Sequence, residues 1–391
     1  MSAQALQAQR IEGPHFRQFW EQGTGKEIQA WTGAELNFDL WDQLSPYYFH
    51  TDQLADRVMQ EVFEHKGFEQ GMQYVFSALR NAADHTVHPA VRDLLQDMIS
   101  TAMQQNSAQL APGGQLCQRA GLSSLMVLRD YSLMGGYDFA HLNKALIYTG
   151  ALRKGAVKRL HYTLEFWIKV TRHNALQIHM PGFEQCLRTR LVHAFSRHQI
   201  LKNSAWQTSQ WGAPINSWDM MATYLGFSLV FLHGLKKLNI STTAQEEQSL
   251  FALWREIGIL IGIPPEIMPT DKVSATQHFY TWTATQPPAD QDSVMLAHAL
   301  LDESLQFEGI KYQFQRRSLR FMHICLNHLF LDQQVLKRLQ IPQVSNPKLF
   351  YTIIRQRNIL QQKYLSQKQQ IRKGDKAQVK ILQDYHRVNN Q

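Results

Sequence analysis

Apolar residues recur every three to four positions along most of this chain of 391 residues, which is the spacing of one helix face. No segment shows the sustained apolar–polar alternation of a half-buried strand, and we find no internal repeat or glycine-rich phosphate loop. The chain is therefore predicted to be all-α. We expect a loosely structured lead-in at 1–40, one large helical domain at 41–340 and a basic helical extension at 341–391. The lead-in is expected to pack on the domain through its aromatic residues, Phe16, Trp20 and Trp31.

Local signals mark where individual helices begin and end. A T-x-x-E capping box at Thr243–Glu246 predicts a helix from Ala244 to about Ile261. Ser217 is a candidate cap for a single, strongly apolar helix that runs to Leu235. The run Ala111-Pro112-Gly113-Gly114 is expected to break the chain, because proline and glycine are the residues least suited to a helix interior.

Composition and cysteine content indicate the cellular compartment in which the protein is expected. Hydrophobic residues make up 44% of the chain, which is ordinary for a soluble globular protein. Three widely spaced cysteines, Cys117, Cys186 and Cys325, form no CxxC pair, which argues against a disulfide framework or a zinc site and fits a reducing environment. No apolar segment approaches the roughly 20 residues of a membrane-spanning helix, and the first residues lack the apolar core of a signal peptide. We expect a soluble, cytoplasmic protein.

The net charge of +8 is concentrated at the end of the chain. Ten basic and two acidic residues lie between Lys348 and Gln391, so the rest of the chain is neutral overall. A basic strip of this kind suits an acidic membrane surface or nucleic acid, while a solvated helical face is the simpler explanation. We expect no nucleic-acid partner, and peripheral membrane contact through this extension stays an open alternative.

The segment from Pro181 to Asn203 carries polar residues beside its buried stripe. Arg190, His193 and Arg197 fall within an arc of roughly 60° on a helix of 3.6 residues per turn. An imidazole with a guanidinium one turn to either side is the arrangement expected where iron and an anion are bound together. The apolar stripe next to them consists of Phe183, Leu187, Leu191, Ala194 and Leu201.

The preceding predicted helix, about Gly155 to Arg172, also carries polar residues where apolar ones are expected. Arg159 and Thr163 lie one turn apart in the middle of its apolar stripe. A buried arginine costs several kcal/mol unless an anionic or strongly polar group meets it. Both helices are therefore predicted to direct polar groups into one interior space. The stripe consists of Leu152, Ala156, Phe166 and Val170.

These residues resemble a known family. The run from Leu187 to Arg197 is similar to the R-L-x-H-A-x-x-R signature of the MpaB-type oxygenases, the family of the rubber oxygenases or latex-clearing proteins. The likeness extends from about Phe139 to Asp271. Its other matches are Arg159-x-x-x-Thr163, the Trp211–Asn216 run with Asp219 and Thr223, and Trp254-Arg255 with Gly258 and Gly262-Ile263-Pro264.

The resemblance implies a helical protein that binds haem b without covalent attachment. It implies His193 as the iron ligand, with Arg190 and Arg197 near the haem propionates. It also implies Arg159 and Thr163 as catalytic residues of the distal pocket, where a cation and a hydroxyl stabilise negative charge developing on dioxygen. The chemistry of these residue types is compatible with the implied roles, because neutral imidazole binds haem iron well and the planar arginine guanidinium suits propionate oxygens.

The residues alone allow other roles. His193 is explained equally by a hydrogen-bonded core histidine, and Arg190 and Arg197 by anchoring to helix C-termini or to acidic residues such as Glu165 or Asp219.

The distal residues and the loop residues have structural alternatives as well. Arg159 can be bonded to carbonyl groups while Thr163 bonds back to its own helix. Asn216, Asp219 and Thr223 are typical of turns and caps. The remaining histidines, including His161, show no pairing that would favour a second metal site.

Two departures from the rubber oxygenase pattern bear on the substrate. Tyr162 stands where the rubber enzymes carry a lysine, and the segment from Phe139 to Gly150 contains no carboxylate to match their proposed base. We therefore expect a haem-dependent oxygenase that acts on another apolar substrate, of the unsaturated or isoprenoid class. The alternatives are a non-catalytic haem-binding or sensor protein and a helical interaction module without a cofactor. The predicted pocket residues are Phe166, Trp167, Phe195 and Phe227.

Overall fold

The computed structural model describes residues 8–81, 86–150, 155–203 and 205–389. Helices account for most of these residues, and no β-strand is found among them beyond an isolated bridge between Phe139 and Pro288. The predicted all-α class is confirmed. One continuous hydrophobic core extends from the first helices to the last.

The helices of the N-terminal half are short apart from three. They are α1 (Pro14–Glu21), α2 (Thr24–Thr32), α3 (Trp41–Leu44), α4 (Gln53–Val58), α5 (Glu64–Lys66), α6 (Phe68–Arg80), α7 (Pro89–Met103), α8 (Ser107–Arg119), α9 (Leu122–Val127), α10 (Met134–Gly136) and α11 (Ala140–Tyr148). Wider π-helical segments at Met59–Phe63 and Leu128–Leu133 join α4 to α5 and α9 to α10.

The helices of the C-terminal half are mostly longer. They are α12 (Ala156–Val170), α13 (Pro181–Asn203), α14 (Thr208–Trp211), α15 (Ser217–Phe227), α16 (Leu229–Lys237), α17 (Ala244–Leu260), α18 (Lys272–Thr283), α19 (Gln291–Gln306), α20 (Gln313–Phe330), α21 (Gln333–Arg338), α22 (Pro347–Tyr364) and α23 (Gln367–Asn389). The exceptions are α14 and α21. Short 3₁₀ turns lie at Ser45–Tyr48 and Pro265–Ile267.

The N-terminal segment is more ordered than its sequence suggested. Residues 8–40 include α1 and α2, so the prediction of a loosely structured lead-in is wrong for this range. The predicted packing is confirmed, because Phe16 and Trp20 are buried and the Trp20 indole donates a 2.8 Å hydrogen bond to Thr283 Oγ1. Burial of these rings on α1, and of Ile28 on α2, stabilises two short helices that would be marginal alone.

The expected break at Ala111–Gly114 does not occur. α8 continues through Pro112, Gly113 and Gly114 and ends at Arg119. A Cβ on Gly113 would lie 2.7 Å from backbone atoms of Ser249 and Leu250, so only glycine permits this approach of α8 to α17. The Gly113 amide also donates to Ser249 Oγ at 2.7 Å. Close packing of the two helices outweighs the poor helix propensity of the run.

The apolar segment after Ser217 forms two helices instead of one. α15 ends at Phe227 and α16 begins at Leu229, with Ser228 between them at φ −115° and ψ −79°. The predicted capping box at Thr243 and Glu246 is confirmed.

The C-terminal extension is helical, as predicted, but it folds back onto the body of the protein. Gln378 of α23 is fully buried and donates from Nε2 to the carbonyl oxygens of Cys117 and Gly121, both at 2.9 Å. The basic residues of α23, Lys368, Arg372, Lys373, Lys376, Lys380 and Arg387, are all exposed. Across the described ranges, no helix combines the length and apolar character needed to cross a bilayer.

Candidate functional site

α13 is tied to α4 by its two signature arginines. Arg190 donates from Nε and Nη2 to the two carboxylate oxygens of Asp52, at 2.6 and 3.0 Å, and from Nη1 to Asp97 at 2.7 Å. Arg197, two turns further along, donates to Asp56. Because Asp52 caps α4 and Asp56 lies one turn into it, the two pairs fix one helix against the other.

Arg197 also holds the loop before α15. It donates from Nε to the Pro214 carbonyl at 3.1 Å and from Nη2 to the Ile215 carbonyl at 3.0 Å. Ile215 has a φ of +55°, a conformation that a β-branched residue rarely adopts. The arginine thus stabilises a strained loop, and one side chain links α13, α4 and the loop before α15.

The position of these arginines does not favour the propionate role that the resemblance implied. Arg190 and Arg197 are buried against protein acceptors, and neither lines the cavity that His193 faces. The alternative of acidic anchoring is the one observed, although with other partners than Glu165 or Asp219. The propionate role is therefore not what their placement indicates, and we assign them the positioning of α13.

A cavity of about 1210 Å³ lies beside α12 and α13, above the roughly 300–1,000 Å³ of sites for small ligands. Its wall is mainly apolar. α13 contributes one continuous face to it, formed by Gln185, Arg188, Thr189, Val192, His193 and Ser196. The two helices that sequence analysis singled out do therefore direct polar groups into one interior space.

His193 is available for ligation. Its Nδ1 atom is buried and has no hydrogen-bond partner among the described residues. Burial, followed by the charge of Arg197, lowers the pKa of His193 from 6.5 to about 4. The imidazole is therefore neutral at physiological pH, which is the form that binds a metal. A core histidine held by hydrogen bonds, the simpler alternative, would have Nδ1 satisfied.

Arg159 and Thr163 both line the cavity from α12. The Arg159 guanidinium donates from Nη2 to the hydroxyl of Tyr137, and Thr163 Oγ1 donates back to the Arg159 carbonyl at 3.3 Å. Sequence reasoning missed Tyr137, which also lines the cavity and is buried. Nothing in the local pattern separates it from an ordinary core aromatic residue, since its polar partner is 22 residues away.

Three of the four predicted pocket aromatics line the cavity, namely Phe166, Trp167 and Phe227. Phe195 does not, because its ring packs on Phe68 with centroids 4.6 Å apart. Leu152, assigned to the α12 stripe, lies outside the described residues.

Asn216, Asp219 and Thr223 act as turn and cap residues. Asn216 caps α15 by accepting from the Asp219 amide at 2.8 Å, and Thr223 Oγ1 donates to the Asp219 carbonyl at 2.9 Å. Asp219 accepts from Trp282 Nε1 at 2.9 Å and lines the cavity. Burial raises the pKa of Asp219 to about 6, against the hydrogen bonds from Trp282 and Asn216 that lower it.

A buried ionic cluster that sequence analysis did not find also borders the cavity. Asp130 accepts from Arg129 Nη1 at 2.7 Å and lies 2.7 Å from His323 Nδ1. Glu303 accepts from the Tyr385 hydroxyl at 2.5 Å. These residues come from the π-helical segment and from α19, α20 and α23, so only the tertiary fold brings them together.

The family model described as "ER-bound oxygenase mpaB/B'/Rubber oxygenase, catalytic domain" matches residues 124–352, more than half of the chain. The chain belongs to this family. The membership predicted from the signature is thereby confirmed, and the matched range includes the walls that carry Arg159, Thr163 and His193.

Two individual proteins are similar to this chain at low sequence identity. The Rubber oxygenase of Streptomyces sp. (strain K30) is 24% identical over 122 residues, which cover 30% of this chain and 28% of that protein. The structure of latex clearing protein (LCP) in the closed state matches with a TM-score of 0.58, covering 84% of this chain and 91% of that one at 14% identity. This chain and that latex clearing protein thus share a fold over most of their lengths.

Proposed function

We propose that this protein is a haem b-dependent oxygenase that acts on an apolar substrate of the unsaturated or isoprenoid class. One observation carries the proposal above the others. His193, at the histidine position of the family signature, faces a large apolar cavity with a neutral imidazole whose Nδ1 has no described hydrogen-bond partner. A buried polar atom left in this state costs stability unless a ligand bonds to that atom.

The residues of α13 suit a haem in a specific way. His193 would be the iron ligand, and Arg188, the arginine on the cavity face of the helix, is the cation suited to the propionates. Arg190 and Arg197 would act indirectly by fixing α13 against α4. Bound haem supplies an iron centre able to activate dioxygen, a reaction that amino-acid side chains cannot carry out alone.

Arg159 and Thr163 would tune the cavity on the α12 side. Arg159 presents a guanidinium that Tyr137 orients through its hydroxyl, so the cation is held in place before any ligand enters. A fixed cation in an apolar cavity stabilises developing negative charge more strongly than one in water does. Thr163 adds a hydroxyl on the same helix face, one turn away.

The apolar cavity wall supports the proposed substrate class. Phe166, Phe227 and Trp254 line it, and the rings of Phe227 and Trp254 stack at 4.4 Å. The volume suits a cofactor together with an apolar molecule. Carboxylates are available to accept a proton even though the segment before α12 has none, because Asp219 and Glu303 line the cavity.

A haem-binding or sensor protein without turnover is the second candidate. It is favoured by the hydrogen bonds that already engage the polar groups of the cavity, since Arg159, Asp219 and Glu303 all have protein partners. Groups held in this way can order a bound ligand without transferring a proton.

Membrane contact through the C-terminal extension is a further part of the proposal. α22 exposes Leu349, Ile353 and Leu360, of which Leu349 is 71% and Ile353 62% exposed. Exposed apolar side chains beside basic ones are typical of helices that lie on an acidic membrane surface. An apolar substrate dissolved in such a membrane would then be presented to the protein.

The visible spectrum of the full-length protein tests the haem assignment. Expressed with ample haem, wild type should show a Soret band, and His193→Ala should lose or shift it. His198→Ala is the matched control, because His198 lies on the same helix but pairs with Glu64 at 3.0 Å. A wild-type protein without a Soret band, or a His193→Ala variant with an unchanged one, would refute the assignment and favour a cofactor-free interaction module.

Turnover separates the two haem functions. Oxygen uptake with terpenoids or unsaturated lipids, lost in Arg159→Ala while the Soret band remains, would support the oxygenase. A haem protein that takes up no oxygen with any such substrate would be a sensor or carrier.

A further inference from the structure

A cluster of metal-binding side chains lies where α12 meets α23. His161 and Glu165 are one turn apart on α12, and His386 reaches them from the C-terminal helix. One potential ligand atom from each residue lies within 4.8 Å of the other two. The sequence prediction that histidines such as His161 form no second metal site did not anticipate this cluster. Its two histidines are 225 residues apart along the chain, and its third member is a carboxylate.

We propose that His161, Glu165 and His386 bind one divalent transition-metal ion of the zinc class. Two imidazoles and one carboxylate form a donor set used for zinc, with a fourth position left for water. Bonds of about 2.0–2.2 Å place tetrahedral ligands roughly 3.4 Å apart. His386 Nε2 already lies 3.8 Å from Glu165 Oε1, so modest side-chain rotations complete the site.

The surroundings of the three residues fit this role. His161 is 5% exposed and the His386 side chain is 41% exposed, so one ligand is held rigidly while the other has room to rotate. The two imidazole rings are 4.5 Å apart at an interplanar angle of 87°.

Lys169 competes for the same carboxylate. Its Nζ atom lies 2.7 Å from Glu165 Oε1, within the i,i+4 spacing of α12. A bound cation would have to displace this ammonium or share the carboxylate with it. Removing the lysine charge should therefore strengthen metal binding, an effect opposite to that of removing a ligand.

The site would fasten the C-terminal helix to a wall of the cavity. α12 carries Arg159 and Thr163, and Tyr385, adjacent to His386, lines the same cavity from α23. A metal that joins the two helices would reduce their relative motion and stabilise the wall. His386 lies beyond residue 352, where the family match ends, so the inference concerns a part of this chain that the match does not cover.

Metal binding by the untagged, full-length protein tests the proposal. Zn²⁺ titrated into chelator-treated wild type, which keeps any bound haem, should bind at one equivalent and raise the melting temperature. His386→Ala and Glu165→Gln should each weaken this binding by at least about tenfold and abolish the thermal shift. The control is His65→Ala, which removes an exposed histidine on α5 and should behave as wild type. Lys169→Met should bind Zn²⁺ more tightly.

Co²⁺ gives an independent readout. Wild type should develop the visible d–d bands of a Co²⁺ site with nitrogen and oxygen ligands, and His386→Ala should not. Equal Zn²⁺ affinity and equal thermal shifts in wild type, His386→Ala and Glu165→Gln would overturn the proposal, because the ion would then be bound elsewhere. The variants are expected to fold normally, since His386 is 41% exposed at its side chain and glutamine keeps the shape of Glu165. Loss of a Soret band is a separate outcome and tests His193 only.

Discussion

Arg190 pairs with Asp52 through two hydrogen bonds, from Nε at 2.6 Å and from Nη2 at 3.0 Å. The guanidinium and the carboxylate are both buried, so each neutralises a charge that would otherwise be costly in the interior. The pair joins α13 to the N-cap of α4. His193 lies one turn after Arg190, so its orientation towards the cavity depends on this contact.

Loss of Arg190 should be strongly destabilising. Arg190→Ala leaves Asp52 buried without its cation, and we expect the free energy of unfolding to fall by about 3–5 kcal/mol. Arg188→Ala, on the same helix but exposed, should cost less than about 1 kcal/mol. Urea unfolding of both variants measures the difference, and near-equal losses would contradict the positioning role.

Gly262 packs against the same ion pair. Its φ is +91°, and a Cβ there would overlap Asp52 Oδ2 and lie 3.1 Å from Arg190 Nε. Gly33 also has a positive φ, +72°, but a Cβ on it would meet nothing within 4 Å. Gly262→Ala should therefore lose about 1–3 kcal/mol more stability than Gly33→Ala. At Gly33 the added Cβ costs only the strain of a positive φ and causes no steric overlap. Matching melting temperatures for the two variants would count against the tight packing.

Stability should fall in mild acid because of His233. Burial, then Lys237 and Lys236, lowers the pKa of this residue from 6.5 to about 3, and its Nδ1 lies 2.7 Å from the Tyr131 hydroxyl. Below pH 6.5 the unfolded chain takes up a proton here that the folded protein does not. Stability contributed by the neutral ring is therefore present above pH 6.5 and lost as the pH falls toward 3.

The expected loss at pH 5 is about 2 kcal/mol relative to pH 7. Urea midpoints of wild type and His233→Asn at pH 7, 6 and 5 isolate it, because the other titrating groups are common to both proteins. The stability advantage of wild type should shrink as the solution is acidified. Two parallel curves would show that His233 does not titrate differently on unfolding.

Membrane association should depend on α22. Full-length protein should sediment with liposomes rich in phosphatidylserine and less with neutral ones, since each basic residue near an acidic surface contributes about 1 kcal/mol. Leu349→Ser together with Ile353→Ser should reduce this binding. Met103→Ser is the control, because Met103 is 74% exposed but lies on α7. Sedimentation that is unaffected by the double substitution, or absent in wild type, would exclude the contact.

Much of the fold could be predicted because its cause is local. Helical periodicity, the capping box at Thr243 and the helix bounds of Pro181–Asn203 depend on residues within a few turns of each other. The motif around His193 likewise identified the family and the residue that faces the cavity.

The errors have a common physical origin in packing between distant segments. Pro112, Gly113 and Gly114 stay helical because α17 packs directly on them, an effect that no local propensity contains. The same holds for the lead-in, where burial of Phe16, Trp20 and Ile28 stabilises two short helices.

The sequence by itself determined that the chain is helical, that His193 and its two arginines share one helix side, and which family they belong to. Only the tertiary structure decided what those side chains meet. Arg190 contacts Asp52, which is 138 positions away in the sequence, and His161 lies beside His386, which is 225 positions away. The reason is that hydrogen bonds, ion pairs and metal ligation act over a few ångströms in space, whereas helical periodicity acts along the chain.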